Sequence, residues 1–577
     1  MKIGVYICHC GSNIAGVVDV AEVARWAATL PDVAVARDYR FMCSSLGQEL
    51  IQKDIRELGL DRVVVASCTP RMHEPTFQRA VAGAGLNPYY FEMANIRNHC
   101  SWVHGSQPEE ATRKAQDLIR MAVARVRTLE ALHRVQIPVT RRALVVGGGL
   151  AGMTAALTLA DAGFPVTLVE RAERLGGNAW HLHHPLAGRS PQEFLREQIS
   201  RVQSHPLIEL LMPAEVESCS GFLGNFRSRV RRADGTVEEV AHGVTLIATG
   251  GLEYRGNGRD IETSPILPAP GQDPRVLTQR DLEERLAQDD PALRQVRKVV
   301  MVQCVTPPDQ EYYCSRVCCT QAVRNARLLK ERNPEAQVYI LYRDIRTYGF
   351  WEVEYTRARQ AGVLFLRFDE KNPPQVEQNG RLRLTVEDPA LHEPVILEPD
   401  LLVLSTAILP QPDYGRLAET FKLACSGEGF FMEKHVKLNP VDFASEGIYL
   451  CGLAHYPKFA PEAIVQAQAA AARASAILSR PTLEVGGIVA VVDESRCTAC
   501  LTCVRVCPYH VPRIEPTKVG AGGILGAAQI EIAACQGCGI CAGECPAKAI
   551  QLLHYRDAQI MVKTEALLIP LNVEVGS

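Results

Sequence analysis

Near the C-terminus one cysteine pattern occurs twice, and it limits what the chain can fold into more than any other feature. Cys497, Cys500, Cys503 and Cys507 precede Pro508, and Cys535, Cys538, Cys541 and Cys545 precede Pro546. Two-residue gaps let three thiolates curl around one iron–sulfur cubane, while the fourth, before proline, reaches a neighbouring cubane. The spacing assigns Cys497, Cys500, Cys503 and Cys545 to one [4Fe–4S] cluster. It assigns Cys535, Cys538, Cys541 and Cys507 to a second. A zinc ribbon or a set of disulfides does not call for this double repeat.

The pattern is that of bacterial two-cluster ferredoxins, so residues 488–555 read as an electron wire. The chain has 577 residues and 20 cysteines. In a chain this long, cysteines in C-x-x-C runs fit metal binding in a reducing compartment better than a disulfide framework. A net charge of −3 gives no general attraction to nucleic acid or anionic membranes. No secretory leader is expected from the first residues. The most apolar stretch, Ala463–Leu478, is broken by Gln466, Gln468 and Arg473, so no membrane span is expected. The expected location is the cytoplasm.

The rest of the chain reads as α/β throughout. Residues 1–135 alternate strands (Ile3–Ile7, Val33–Ala36, Val63–Ala66, Tyr89–Phe91) with helices (Asp19–Leu30, Leu46–Glu57), which predicts a small parallel α/β domain. A long helix over Glu109–Val135 is expected to close it. Residues 141–296 begin a dinucleotide-type domain, 255–275 being an irregular connector. Residues 297–410 form a second α/β domain with strands at Lys298–Gln303 and Gln337–Tyr342. Residues 411–485 return to the first, and 556–577 are a tail.

Gly147-Gly148-Gly149-Leu150-Ala151-Gly152 follows the strand Arg142–Val146 and opens an Ala-rich helix. These glycines permit a tight turn and bring a pyrophosphate to the helix N-terminus. Glu170 ends the next strand, where a carboxylate binds the adenosine ribose. Arg171 follows it, then Gly176, Gly177 and Asn178. Ala248-Thr249-Gly250 ends a further strand, and Gly452 precedes a helix whose first turn holds Glu462 and Ala463. Together these predict FAD, with that helix N-terminus aimed at the flavin pyrimidine edge. Lys458, in His455-Tyr456-Pro457-Lys458, is the candidate catalytic residue, within reach of the flavin; the alternative is an exposed loop lysine. Cys451 is read as a small buried residue. No second glycine fingerprint follows the strand Lys298–Gln303, which argues against direct nicotinamide binding.

In place of that fingerprint stand Cys304, Cys314, Cys318 and Cys319. Adjacent cysteines suit different irons of one cubane better than a single zinc; buried thiols or a redox disulfide are the alternatives. In the first domain Cys10, Cys43 and Cys68 each follow a strand, and Cys100 follows the fourth after a gap. Carboxyl ends of parallel strands share one edge of a sheet, so these four form a further candidate cluster site. Cys8 lies inside the first strand and reads as core, with the option of replacing Cys10. His9, His73, His99 and His104 are nearby and read as structural. Cys219 and Cys425 have no cysteine neighbours. The count is about four [4Fe–4S] clusters.

These residues resemble HdrA, the A-type component of heterodisulfide reductase, over nearly the whole chain. The likeness is carried by Cys8-His9-Cys10-Gly11, Val65–Pro75, Phe91–Arg97, Tyr313–Cys319, Leu341–Gly349 and Tyr456-Pro457-Lys458. The resemblance implies a thioredoxin-reductase-like FAD core built on Rossmann-type parallel sheets. It adds an N-terminal cluster domain and a C-terminal ferredoxin module. It implies an electron-transferring oxidoreductase component of a larger hetero-oligomer, itself a homodimer. The expected partners are HdrB- and HdrC-like subunits, an electron donor and ferredoxin. It also implies that Lys458 lies near the flavin. Some relatives bifurcate electrons at that flavin. Two differences stand out: Asn178–Pro191 lacks cysteines, and the stretch from Gly250 to Lys298 is too short for an inserted ferredoxin domain. A shorter member of this kind also suits a methylenetetrahydrofolate reductase or aromatic-ring reductase complex; an NAD(P)H-dependent flavin oxidoreductase is the other alternative.

Overall fold

The computed structural model describes residues 1–184, 188–255, 268, 270, 273–307, 313–378, 380–389 and 393–568. Most of the connector expected at 255–275 and the end of the 556–577 tail lie outside these residues. The chain forms two compact units, one of residues 1–136 with 484–577 and one of residues 137–483.

In the first unit, four parallel strands run in the order Val33–Tyr39, Ile3–Cys8, Arg62–Ser67, Phe91–Asn95. Ile3–Cys8 is buried along its whole length, as expected of a strand covered on both faces. Ile3, Val5 and Ile7 pack with Ala111, Ala115 and Ile119 of the helix Pro108–Val126. Tyr6 and Cys8 pack on the opposite face with Met42 and Ile51. The fourth strand begins at Phe91, later than Tyr89–Phe91 implies. The helix expected to reach Val135 stops at Val126, where Thr128 donates to Arg125 O (2.8 Å) and Arg62 donates to Val126 O (3.1 Å) and Leu129 O (3.2 Å).

The cysteine-rich segment, read as a module apart, packs into this same unit. Two small antiparallel pairs build it, Ala490–Val492 with Ile550–Leu552 and Arg513–Val519 with Leu525–Gln529. The tail helix Asp557–Leu568 lies on Pro108–Val126. A buried ion pair joins Arg125 to Glu92; Arg125 also donates to His554 O, and Lys563 reaches Glu92 at 3.3 Å. The His554 ring sets its edge against Tyr89.

The second unit contains two parallel five-stranded sheets. The first runs Ile448–Leu450, Val244–Ile247, Ala143–Val146, Val166–Val169, Ile208–Leu211. Ala143 and Val145 face the core formed with the helices Leu150–Asp161 and Ala460–Leu478, and Leu144 and Val146 face the other. Those helices meet through alanines, whose small side chains allow close approach. The second sheet runs Val276–Thr278, Leu401–Thr406, Lys298–Val305, Gln337–Tyr342, Leu364–Arg367. Its first strand and the helix Gln279–Ala287 precede Lys298, so the second domain starts earlier than the boundary at 296/297 allows. Among the described residues no helix is long and apolar enough to cross a membrane.

Candidate functional site

A cavity of about 770 Å³ opens at the carboxyl ends of the first sheet, where ligands of open α/β sheets collect. The strand Ala143–Val146 ends at Gly147, whose φ is 110°, and a Cβ there would lie 2.4 Å from Ala248 O. At Gly152 a Cβ would lie 1.8 Å from Gly147 O, so the helix can start against the strand only without a side chain. Glu170 accepts from Gly148 N (2.5 Å) and Ala172 N (2.7 Å), which holds its carboxylate at the lip of the turn.

Gly147, Gly149, Leu150, Ala151, Glu170, Arg171, Gly176, Gly177, Asn178, Ala248, Thr249, Gly250, Lys458 and Ala463 all line the cavity. Gly152, Gly452 and Glu462 do not. Gly152 serves the strand–helix contact. Glu462 accepts from Phe459 N (2.8 Å) and Tyr348 Oη (2.8 Å) and pairs with Arg316 (3.3 Å). A cradle of backbone N–H groups at a helix start, a carboxylate at the second strand and a long cavity fit a dinucleotide.

Lys458 is a buried lysine rather than an exposed one, at 5% exposure. Its Nζ donates to Gly452 O (2.6 Å) and sits 4.0 Å over the Tyr456 ring. Burial pulls it down to about 7, against which the neighbouring Cys451 pushes up. Cys451 is fully buried, and desolvation raises it to about 12.

Cys304, Cys314, Cys318 and Cys319 line a small second pocket at the carboxyl edge of the second sheet. Cys304 and Arg316 adopt left-handed backbone, φ 64° and 62°, which turns the chain sharply at each of them. Arg316 N donates to Cys314 Sγ (3.3 Å), and Cys319 is drawn down to about 7 by its bond with Cys318. Cys318 and Thr406 line both this pocket and the large cavity, so these two residues form the wall between them.

In the first unit Cys8 and Cys68 each feel the charge of Cys10 and Cys43. Cys8 Sγ accepts from Cys10 N (3.3 Å) and Met42 N (3.4 Å), and Arg97 donates to Cys10 Sγ (3.4 Å). Cys100 is not brought to this group. The turn Arg97–Ser101 folds it inward, and its thiol donates to Ala111 O (2.9 Å).

The C-terminal cysteines pair across the duplication. Cys503 feels Cys497, Cys500 and then Cys545; Cys541 feels Cys535, Cys507 and Cys538. Ala528 N donates to Cys497 Sγ (3.3 Å), and at the equivalent positions Ala490 N donates to Cys535 Sγ (3.5 Å). Val511 N likewise serves Cys507 (3.5 Å) and Ala549 N serves Cys545 (3.3 Å). Such bonds favour thiolate and tune a bound cluster. Among the described residues, no three His, Cys, Asp or Glu side chains close on a single metal ion.

Residues 145–189 match the NAD(P)-binding Rossmann-like domain, and residues 496–549 match the 4Fe-4S dicluster domain. The second A-type iron-sulfur component of the CoB--CoM heterodisulfide reductase of Methanopyrus kandleri is 39% identical, covering 88% of this chain and 90% of that protein. The A-type component of the H(2):CoB-CoM heterodisulfide,ferredoxin reductase of Methanothermobacter marburgensis is 37% identical, covering 98% of this chain and 97% of that protein. The chain belongs to the HdrA family of heterodisulfide reductase. As a member of that family it is an iron–sulfur flavoprotein, an oxidoreductase with FAD and [4Fe–4S] clusters as cofactors, and its relatives are components of larger complexes. In fold it is similar to the T. acidophilum thioredoxin reductase (TM-score 0.41, 14% identity), covering 59% of this chain and 98% of that one.

Several residues of these HdrA sites carry no sequence signal. Glu433 and Gln466, which hold the turn beside Lys458, belong to no recognisable motif, whereas Arg316 and Tyr348 lie within the stretches Tyr313–Cys319 and Leu341–Gly349. Glu283 and Arg324, a buried pair at 3.3 Å on the cavity wall, are equally silent in sequence.

Proposed function

We propose that this protein is an electron relay in which FAD, in the large cavity, meets a [4Fe–4S] cluster held by Cys304, Cys314, Cys318 and Cys319. The observation that carries the reading is the position of Cys318 in the wall between the flavin cavity and the cysteine pocket. A ligand thiolate against the flavin leaves no intervening layer for an electron to cross. FAD supplies the exchange of one or two electrons. The chain's own part is to bind the dinucleotide on the Gly147–Gly152 turn, to hold Glu170 at the ribose, and to hold a proton at Lys458 Nζ beside the flavin.

Two further sites extend the relay. Cys8, Cys10, Cys43 and Cys68 hold an N-terminal cluster, Cys8 taking the place expected of Cys100. The C-terminal module holds two clusters in the crossed pairing that its spacing implies. The partners are HdrB- and HdrC-like subunits with an electron-donating protein, and the complex contains two copies of this chain. The test is the iron and flavin content of the anaerobically purified protein. Four clusters give about sixteen iron atoms per FAD; a plateau near eight would remove both sites outside the C-terminal module.

A further inference from the structure

The loop that carries Lys458 is held by a chain of hydrogen bonds with only one possible direction. Gly452 N donates to Gln466 Oε1 at 3.0 Å. A peptide N–H can only donate, so the Gln466 amide oxygen faces it and the amide NH2 faces the other way. That NH2 lies 2.8 Å from His455 Nδ1, which must therefore accept. The imidazole proton then sits on Nε2, which donates to Glu433 Oε2 at 2.8 Å. On the other side of the same residue, Gly452 O accepts from Lys458 Nζ at 2.6 Å. The His455 and Glu433 side chains are only 10% and 17% exposed.

We propose that Glu433, His455 and Gln466 form a positioning relay that fixes the Gly452 turn and thereby keeps Lys458 Nζ out of water and at the flavin cavity. The inference rests on the reading of that cavity as the FAD site. None of the three residues lines the cavity, so each acts through Lys458. The relay depends on a neutral His455. A proton on Nδ1 would face the Gln466 NH2, force the amide over and leave Gly452 N without its acceptor. Burial, reinforced by the nearby Lys458 charge, holds His455 below its ordinary value and so keeps the relay set near neutral pH. The charged and titratable groups facing His455 are Lys458, Glu433 and Arg316; those facing Lys458 are Cys451, Glu462, Arg316 and Glu433. Burial is the main reason Lys458 lies far below an ordinary lysine. A turn released from Gln466 lets the ammonium reach water and rise again.

The test is the midpoint potential of the flavin in the FAD-loaded full-length protein, followed by anaerobic spectroelectrochemistry across pH. The wild-type protein is expected to change slope near pH 7, where Lys458 titrates, and Lys458→Met to lose that break. Gln466→Leu and His455→Phe are expected to move the break up by at least ~1 pH unit, toward the ordinary lysine value. His455→Gln has an amide that accepts from Gln466 and donates to Glu433, and is expected to leave the break in place. An unmoved break in both Gln466→Leu and His455→Phe overturns the relay, as does a shift in His455→Gln equal to that in His455→Phe. A wild-type protein with no break, or one whose break survives Lys458→Met, overturns instead the placement of Lys458 at the flavin, and the relay falls with it.

Discussion

The two cysteine groups of the first unit differ in how they are encoded. The C-terminal module gathers its thiols from two short runs, and the pairing of Cys503 with Cys545 and of Cys541 with Cys507 follows the spacing. The N-terminal group gathers its thiols from the ends of separate strands, and membership depends on which way each chain end turns. Cys8 lies in the core as expected and also sits beside Cys10 and Cys43; Cys100, expected at the edge, turns away to Ala111 O. A cysteine group written along the chain is legible from local sequence, whereas one written across a sheet edge needs the turns.

The two regions also differ in what holds them together, and removing iron separates them most sharply. In the C-terminal module the core cysteines Cys497, Cys503, Cys541 and Cys545 pack with a few small residues such as Ala490, Ala527 and Ala549. The N-terminal sheet has its own apolar core of Ile3, Val5, Ile7, Val64 and Ile119. Chelation under reducing conditions is expected to expose residues 490–552 to full hydrogen exchange while Ile3–Cys8 and Arg62–Ser67 stay protected. Equal loss in both regions would erase the distinction.

A smaller effect is expected where the regions meet. Arg125→Leu leaves Glu92 buried with only Lys563 beside it, and such a broken pair costs about 3–5 kcal/mol. Exchange should rise in Asp557–Leu568 well before it rises in Ile3–Cys8. Smaller again, and most specific to the N-terminal site, is the contrast between Cys8→Ser and Cys100→Ser. The first is expected to lower iron by about four atoms per chain; the second is expected to keep full iron and to lose about 1 kcal/mol with the thiol bond to Ala111 O. Reversed iron counts would restore Cys100 as the ligand.

The same division explains what else was legible. The glycine turn at Gly147–Gly152, Glu170 and the strand ending at Gly250 are local signals, and all converge on one cavity. The end of the helix at Val126 was not, because residues 127–135 contain no breaker and the freed carbonyls are taken up by Thr128 and by Arg62 from a distant strand. The early start of the second domain at Val276 was hidden because a three-residue strand has no periodicity to read. Gln466 looked only like an interruption of an apolar stretch; its role needs Gly452 N, which sequence places fourteen positions away.

The proposed junction of flavin and cluster at Cys318 is tested most directly by Cys318→Ser in the anaerobic full-length protein. The expected result is FAD retained, about four fewer iron atoms than wild type, and a flavin that no longer exchanges electrons rapidly with the remaining clusters. Unchanged iron together with unchanged flavin–cluster exchange would contradict it.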